Sequence, residues 1–279
     1  MNHHEGEFKG TKGLKIYYQA WLPDNPKAIV QIVHGGFEHS GRYLNVVNEL
    51  IPHNYAVYAD DHRGNGKSEG IQNYVDSFDQ FLEDEKRLYD IIKSKHPDLP
   101  VFMLGHSMGA IIATYFTQKY EELLAGLILS GTTVSSAAFP KPLKIVVKIL
   151  SKITPKLAIS PKLNPNALSR DPEVVKAYQE DPYVHAEKIT VRLAGEIAKH
   201  IDGLMDAYKN LTLPLLVQCG SEDSLMKVKH FKDDLTNVFT VEDKKIEIYD
   251  GLYHEVYNEL KNDRKKVLKD LIDWLEKHV

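Results

Sequence analysis

Gly105-His106-Ser107-Met108-Gly109 joins an apolar run, Val101-Phe102-Met103-Leu104, to a helix-like stretch from Ala110 to Gln118. A serine with glycines two positions before and after it, at a strand-to-helix junction, constrains the backbone severely. The chain must turn so sharply that neighbouring Cβ atoms would collide, which is why glycine stands at both flanks. Such a turn lifts the Ser107 hydroxyl out of the sheet and aims the unpaired N–H groups of a helix start at the same point. The motif alone has moderate specificity. The strand before it and the helix after it make it specific.

The rest of the chain agrees with a sheet. Residues 5–9 and 14–21 suit a hairpin turned at Gly10-Thr11-Lys12-Gly13. Apolar strand-like runs follow at 28–34, 55–60, 101–105, 124–130, 215–220 and 245–249. Several are nearly continuous in Val, Ile and Leu, as strands covered on both faces are. A capping box at Ser77–Gln80 predicts a helix to about Lys95, and 107–119 and 264–278 read as further helices. Strands alternating with helices predict an α/β fold with a mostly parallel central sheet and helices on both faces. Between Ser130 and Leu215 the rhythm stops, and the interval is too long for a plain loop. We expect a helical cap over residues 131–212, inserted into a core of 1–130 and 213–279.

A serine hydroxyl needs a base, and the base needs an acid that holds its tautomer. In this architecture they follow in the order acid, histidine, each just beyond a strand. Asp223 follows the strand ending at Gly220, and His254 follows the one ending at Tyr249. Glu222 is an alternative acid, and Asp250 a poorer one because it is so near His254 in sequence. His34-Gly35-Gly36 ends the run 28–34, so the N–H groups of Gly36 and Met108 are the natural donors to an oxyanion. The segment from Asp61 to Ser68 lacks the spacing of a phosphate loop and reads as a turn.

Other chemistries find little support. No HExxH or CxxC pair suggests a metal, His3 and His4 stand at the terminus, and no dinucleotide fingerprint is present, so no metal and no cofactor are expected. Cys219 is the single cysteine and reads as a small core residue. The net charge is −4, without a basic patch interleaved with aromatics, so no nucleic-acid partner is expected. Lacking a signal pattern or a membrane-length apolar run, the chain is expected to be cytoplasmic.

Together, the segments Gly35–Tyr43, Asp61–Gly70, Leu99–Gly109, Gly220–Asp223 and Tyr253-His254, with Leu168-Ser169-Arg170 and Asp181-Pro182, resemble the monoacylglycerol lipases of the α/β-hydrolase superfamily. The likeness runs over most of the chain. It implies an α/β-hydrolase fold and a serine esterase that splits monoacylglycerol into glycerol and fatty acid through an acyl-enzyme. The implied triad is Ser107, Asp223 and His254, with Gly36 and Met108 as the oxyanion donors. The family's glycerol-contacting positions fall on Glu38, Arg42 and Tyr178. Its histidine three places after the catalytic one is Tyr257 here, which puts a larger, uncharged phenol at the glycerol end. Phe37 and Met226 replace a small residue and a cysteine of mammalian members. Glu38 and Arg42 are also spaced as an ordinary i,i+4 ion pair. Lysophospholipase and general carboxylesterase activities are the alternatives that need the same triad.

Lys141, Lys144, Lys148, Lys152 and Lys156 recur near one face of a helix, with Leu143, Val146, Val147, Leu150, Ile153 and Leu157 over much of the remainder. Pro140 and Pro142 suit its start and Pro155 its end. Such a helix suits two roles: lying in a bilayer interface as a peripheral membrane contact, or roofing an acyl pocket with its lysines in solvent.

Overall fold

The computed structural model describes residues 2–134 and 141–279, and for 141–144 the backbone alone. Pro140 and the side chains of Lys141, Pro142, Leu143 and Lys144 therefore lie outside the described residues. In chain order the strands are β1 (Asn2–Lys9), β2 (Lys15–Leu22), β3 (Ala28–Val33), β4 (Tyr55–Asp60), β5 (Val101–His106), β6 (Gly126–Ser130), β7 (Ala158–Ile159), β8 (Ile189–Thr190), β9 (Leu215–Gly220) and β10 (Lys244–Tyr249). The helices are α1 (Leu44–Leu50), α2 (Asp79–Lys95), α3 (Met108–Tyr120), α4 (Lys141–Ile153), α5 (Pro172–Glu180), α6 (Val191–Lys209), α7 (Val228–Val238) and α8 (Lys261–Leu275).

Eight strands form one sheet in the order β1-β2-β4-β3-β5-β6-β9-β10. Strand β2 runs antiparallel to β1 and β4, and every other pair is parallel. Alternation along the buried strands divides the core in two. On β5, Val101 and Met103 join the core under α2 and α3, whereas Phe102 and Leu104 join the one under α1 and α8. Both faces are covered, which is why these strands are continuously apolar.

Register then places the functional loops. Val33 pairs with Gly105, His106 with Ser130, and Gly220 with Tyr249, so these strands end at one rim of the sheet. The chain reverses its direction of travel across the sheet beside β3 and β5, where α/β folds bind ligands.

Several local expectations change. Strand β1 begins at Asn2, and His3 stacks on Trp21 at 5.1 Å and bonds Gln19 at 3.0 Å, so the terminal histidines belong to a strand. Helix α2 starts without a side-chain cap, because Gln80 Oε1 accepts the Asp76 N–H at 2.9 Å instead of returning to Ser77. Between β6 and β9, where no strand was expected, β7 and β8 form a short antiparallel ribbon. Helix α4 stops at Ile153, just before Pro155, and packs on α6 where Gly195 admits Val147 and Ser151.

Candidate active site

Ser107 adopts φ 54° and ψ −118°, a conformation that L-residues avoid, at the junction of β5 and α3. The flanking glycines make it possible. A Cβ on Gly105 would lie 2.4 Å from the Gly109 carbonyl oxygen, and one on Gly109 would lie 2.0 Å from that of Val33. The Ser107 N–H donates to the Ser130 carbonyl at 2.9 Å, which anchors the turn on β6.

His254 is 3 % exposed, and its Nδ1 lies 2.7 Å from Asp223 Oδ2. The other carboxylate oxygen, Oδ1, accepts the N–H groups of Leu225 at 3.0 Å and Met226 at 2.9 Å. These donors fix the carboxylate, which fixes the ring. Burial disfavours the charged imidazole, but the Asp223 carboxylate outweighs that and raises the His254 pKa above its ordinary value. Burial also opposes the Asp223 charge, yet the same pairing leaves its pKa lowered. Neither alternative acid reaches the histidine. Glu222 pairs with Lys229 at 3.0 Å on the surface, and Asp250 accepts from Ser221 at 3.3 Å. With Nδ1 committed, Nε2 is the ring nitrogen available to the Ser107 hydroxyl, and both residues line one cavity.

Gly36 and Met108 border the same cavity, and a Cβ on Gly36 would be 3.8 Å from Met108 Cβ. The His34 ring holds the Gly35 carbonyl through Nδ1 at 2.7 Å, which orients the peptide carrying the Gly36 N–H.

The cavity measures about 280 Å³. Its wall is mostly apolar, with Leu193, Ile197 and Ile201 aligned at four-residue intervals on α6 and Ile111, Leu225 and Phe231 among the other lining residues. Near Ser107 it turns polar. Arg42 grips Glu255 with two bonds of 2.8 Å, reaches Glu38 at 2.5 Å, and lies 4.6 Å from the Tyr178 ring centre. Burial would raise the Glu255 pKa, but the guanidinium takes it down to about 2. Glu38 Oε1 accepts the Gly35 N–H and the Tyr43 hydroxyl, each at 2.7 Å. The i,i+4 pair thus exists and also faces the cavity, and through Glu255 it ties the glycine turn to the histidine loop.

Tyr257 is not brought to this cavity. Its phenol is 4 % exposed and donates to Gln218 Oε1 at 2.6 Å, so it packs in the core behind the histidine loop. Two residues escaped the sequence reading. For Glu255 the signal was its position beside His254 and an Arg42 with donors left after Glu38. Gly131, at φ +56°, leaves room for the imidazoles: a Cβ there would lie 2.9 Å from the Cε1 atoms of both His106 and His254. His106, lowered to about 4 by burial and by the neighbouring His254, stays neutral beside it.

The fold and this site define an α/β hydrolase. A family model described as "Serine aminopeptidase, S33" matches residues 24–261. The monoacylglycerol lipase of Mycolicibacterium smegmatis is 36% identical over 99% of this chain and 98% of its own. The monoglyceride lipase of Homo sapiens is 31% identical over 94% and 87%. The crystal structure of the Paleococcus ferrophilus monoacylglycerol lipase matches with a TM-score of 0.82 and 27% identity, covering 100% of both chains. The chain belongs to the monoacylglycerol lipase family.

Replacing Asp223 with Asn should lower kcat about 10⁴-fold, because the imidazole loses both its tautomer and its counter-charge. The imidazole must be neutral to accept a proton, so the acid limb of kcat/KM should lie above the ordinary histidine range in the native protein. It should move to lower pH in the variant; a pH profile that does not move would detach Asp223 from His254. Gly131→Ala should cut kcat roughly 10–100-fold by displacing His254, with a smaller change in KM, measured by steady-state kinetics.

Proposed function

We propose that this protein hydrolyses monoacylglycerol to free fatty acid and glycerol. The observation that carries the proposal is an apolar cavity that turns polar beside Ser107 and the Asp223–His254 pair. The acyl chain lies along the α6 stripe and the ester carbonyl meets Ser107. His254 Nε2 takes the hydroxyl proton as Oγ attacks, and the N–H groups of Gly36 and Met108 hold the oxyanion. Collapse breaks the ester C–O bond, and His254 returns the proton to the departing glycerol. Water, deprotonated by His254, then releases the fatty acid from Ser107.

Residues 131–212 serve as the cap over this cavity, and 1–130 with 213–279 as the catalytic core. The glycerol end is framed by Glu38, Arg42, Glu255 and Tyr178. Two carboxylates against one guanidinium leave that end with one net negative charge. It suits a neutral glycerol and opposes a phosphate. This favours monoacylglycerol over lysophospholipid, whose hydrolysis is otherwise the nearest rival.

The lipid surface is met through α4. Its Val147 and Ser151 are buried, whereas Ile145, Val146, Ile149 and Ile153 are 50–71 % exposed. Among the described side chains none from α4 lines the cavity, so the roofing role falls to α6. Lys148 and Lys152 are exposed along it and Lys156 just past its end, as peripheral contact with anionic headgroups requires. No helix among the described residues is long and apolar enough to cross a membrane.

With mono-, di- and trioleoylglycerol and oleoyl lysophosphatidylcholine as substrates, release of oleate should be fastest from the monoester, by about tenfold or more over each alternative. Ser107→Ala should abolish turnover and fluorophosphonate labelling. Equal rates on triacylglycerol or on the lysophospholipid would overturn the substrate assignment and leave the nucleophile standing. Ile149→Ser combined with Ile153→Ser should reduce co-sedimentation with phosphatidylglycerol vesicles roughly fivefold, while hydrolysis of a short soluble ester persists.

A further inference from the structure

Away from the cavity, at the end of β4, three buried side chains converge, two carboxyls and an imidazole. His62 Nε2 lies 3.0 Å from the His34 carbonyl oxygen and donates to it, which leaves Nδ1 as the ring nitrogen turned toward the carboxylates. Nδ1 faces Glu85 Oε1 at 3.4 Å and Asp60 Oδ2 at 3.8 Å. Both separations exceed a hydrogen bond. Asp60 and Glu85 are fully buried, and Oδ1 and Oδ2 of Asp60 and Oε1 of Glu85 have no hydrogen-bond partner. The neighbouring Asp61 shows what a buried carboxylate normally secures: its oxygens accept from the Ser40 N–H, the Ser40 hydroxyl and the Lys67 N–H. Asp60 has nothing comparable.

We propose that Asp60, His62 and Glu85 bind a divalent metal ion of the zinc class. The three potential ligand atoms lie within 4.8 Å of one another. A tetrahedral ion with donors at about 2.1 Å holds its ligand atoms roughly 3.4 Å apart, against 3.4 and 3.8 Å from His62 Nδ1 to the two carboxyls here. The ion's two positive charges balance the two carboxylates. The cation next door is unavailable, since Arg63 is spent on Asp84 at 2.5 Å. The surroundings also match a ligand set: His62 is oriented by a carbonyl through its other nitrogen, and Glu85 Oε2 is held by Gln31 Nε2 at 2.7 Å. Gln31 itself presents a buried, unpaired amide oxygen. Bound there, the ion joins β4 to α2 and, through His62 and the His34 carbonyl, stiffens the turn that carries Gly36. Its role is structural, because the site is sealed from the cavity by the protein interior.

The test uses the full chain expressed in zinc-supplemented medium, dialysed against EDTA, and assayed by elemental analysis and thermal unfolding. About one equivalent of zinc should survive dialysis, because a fully buried ion exchanges only when the chain opens. Protein unfolded and refolded without metal should melt at least several degrees lower, and zinc present during refolding should restore the difference. Asp60→Asn with Glu85→Gln, a neutral pair of similar shape, should retain no zinc and show no zinc-dependent shift. Metal below about a tenth of an equivalent with a melting temperature indifferent to zinc would overturn the proposal. So would equal retention by the double variant, which would place the metal elsewhere. An infrared band of a protonated carboxyl in zinc-refolded protein, lost in Glu85→Gln, would show a proton shared with Asp60 in place of the ion.

Discussion

The close approach of α3 to the ends of β3 and β5 is the constraint on which the site depends. At Gly109 the helix backbone sits so near the carbonyls of Val33 and His34 that no side chain fits between them. That contact forces Ser107 into its unfavourable backbone conformation and brings the first N–H of α3 beside Gly36. The Ser107 hydroxyl and the N–H groups of Gly36 and Met108, which we propose as nucleophile and oxyanion donors, are thus set by one packing decision. Strain of this size, of order 1–3 kcal/mol, persists only where the surroundings over-determine it. Here β6 does so through the Ser130 carbonyl, and the continuous apolar core on both sheet faces does the rest.

Buried anions divide the molecule by how they are compensated. Asp223 has an imidazole and two amides. Glu38 and Glu255 share one guanidinium, and removing Arg42 would strand both, at a cost of about 3–5 kcal/mol. That dependence leaves Arg42 few donors to spare, so its part at the proposed glycerol end is chiefly charge and the bracing of the loops. Asp60 and Glu85 have no such partner, and in their absence of one Glu85 is pushed well above the usual carboxylate range by burial and by Asp60.

Much of this was legible in the sequence because strands buried on both faces announce themselves by unbroken Val, Ile and Leu. The chain order of Ser107, Asp223 and His254 followed from those strand ends, and the geometry pairs Asp223 with His254 while sending Glu222 to Lys229. What escaped shares one cause. Tyr257 was assigned to the glycerol end by position, yet its phenol turns to Gln218, and only tertiary packing decides that direction. The helices α1 and α7 are short and lack strong end signals. Gly131 matters for a ring 123 positions away in the chain, and no local pattern encodes such a clearance. The buried cluster of Asp60, His62 and Glu85 likewise comes from a strand end, a turn and a helix, and no local spacing announces that the three meet.

The segment between β6 and β9 carries two apolar surfaces with opposite destinations. On α6, Leu193, Ile197 and Ile201 face the cavity and join the same core as α3. On α4, Ile145, Val146, Ile149 and Ile153 face outward near Lys148 and Lys152. A globular protein has no use of its own for the second surface, since exposing large aliphatics gains nothing for folding. A lipid ester, by contrast, must leave a bilayer before it can enter a buried cleft, and its acyl chain loses most if it crosses water on the way. On the membrane contact proposed above, an outward face on a helix packed directly against α6 shortens that crossing to about the thickness of two helices.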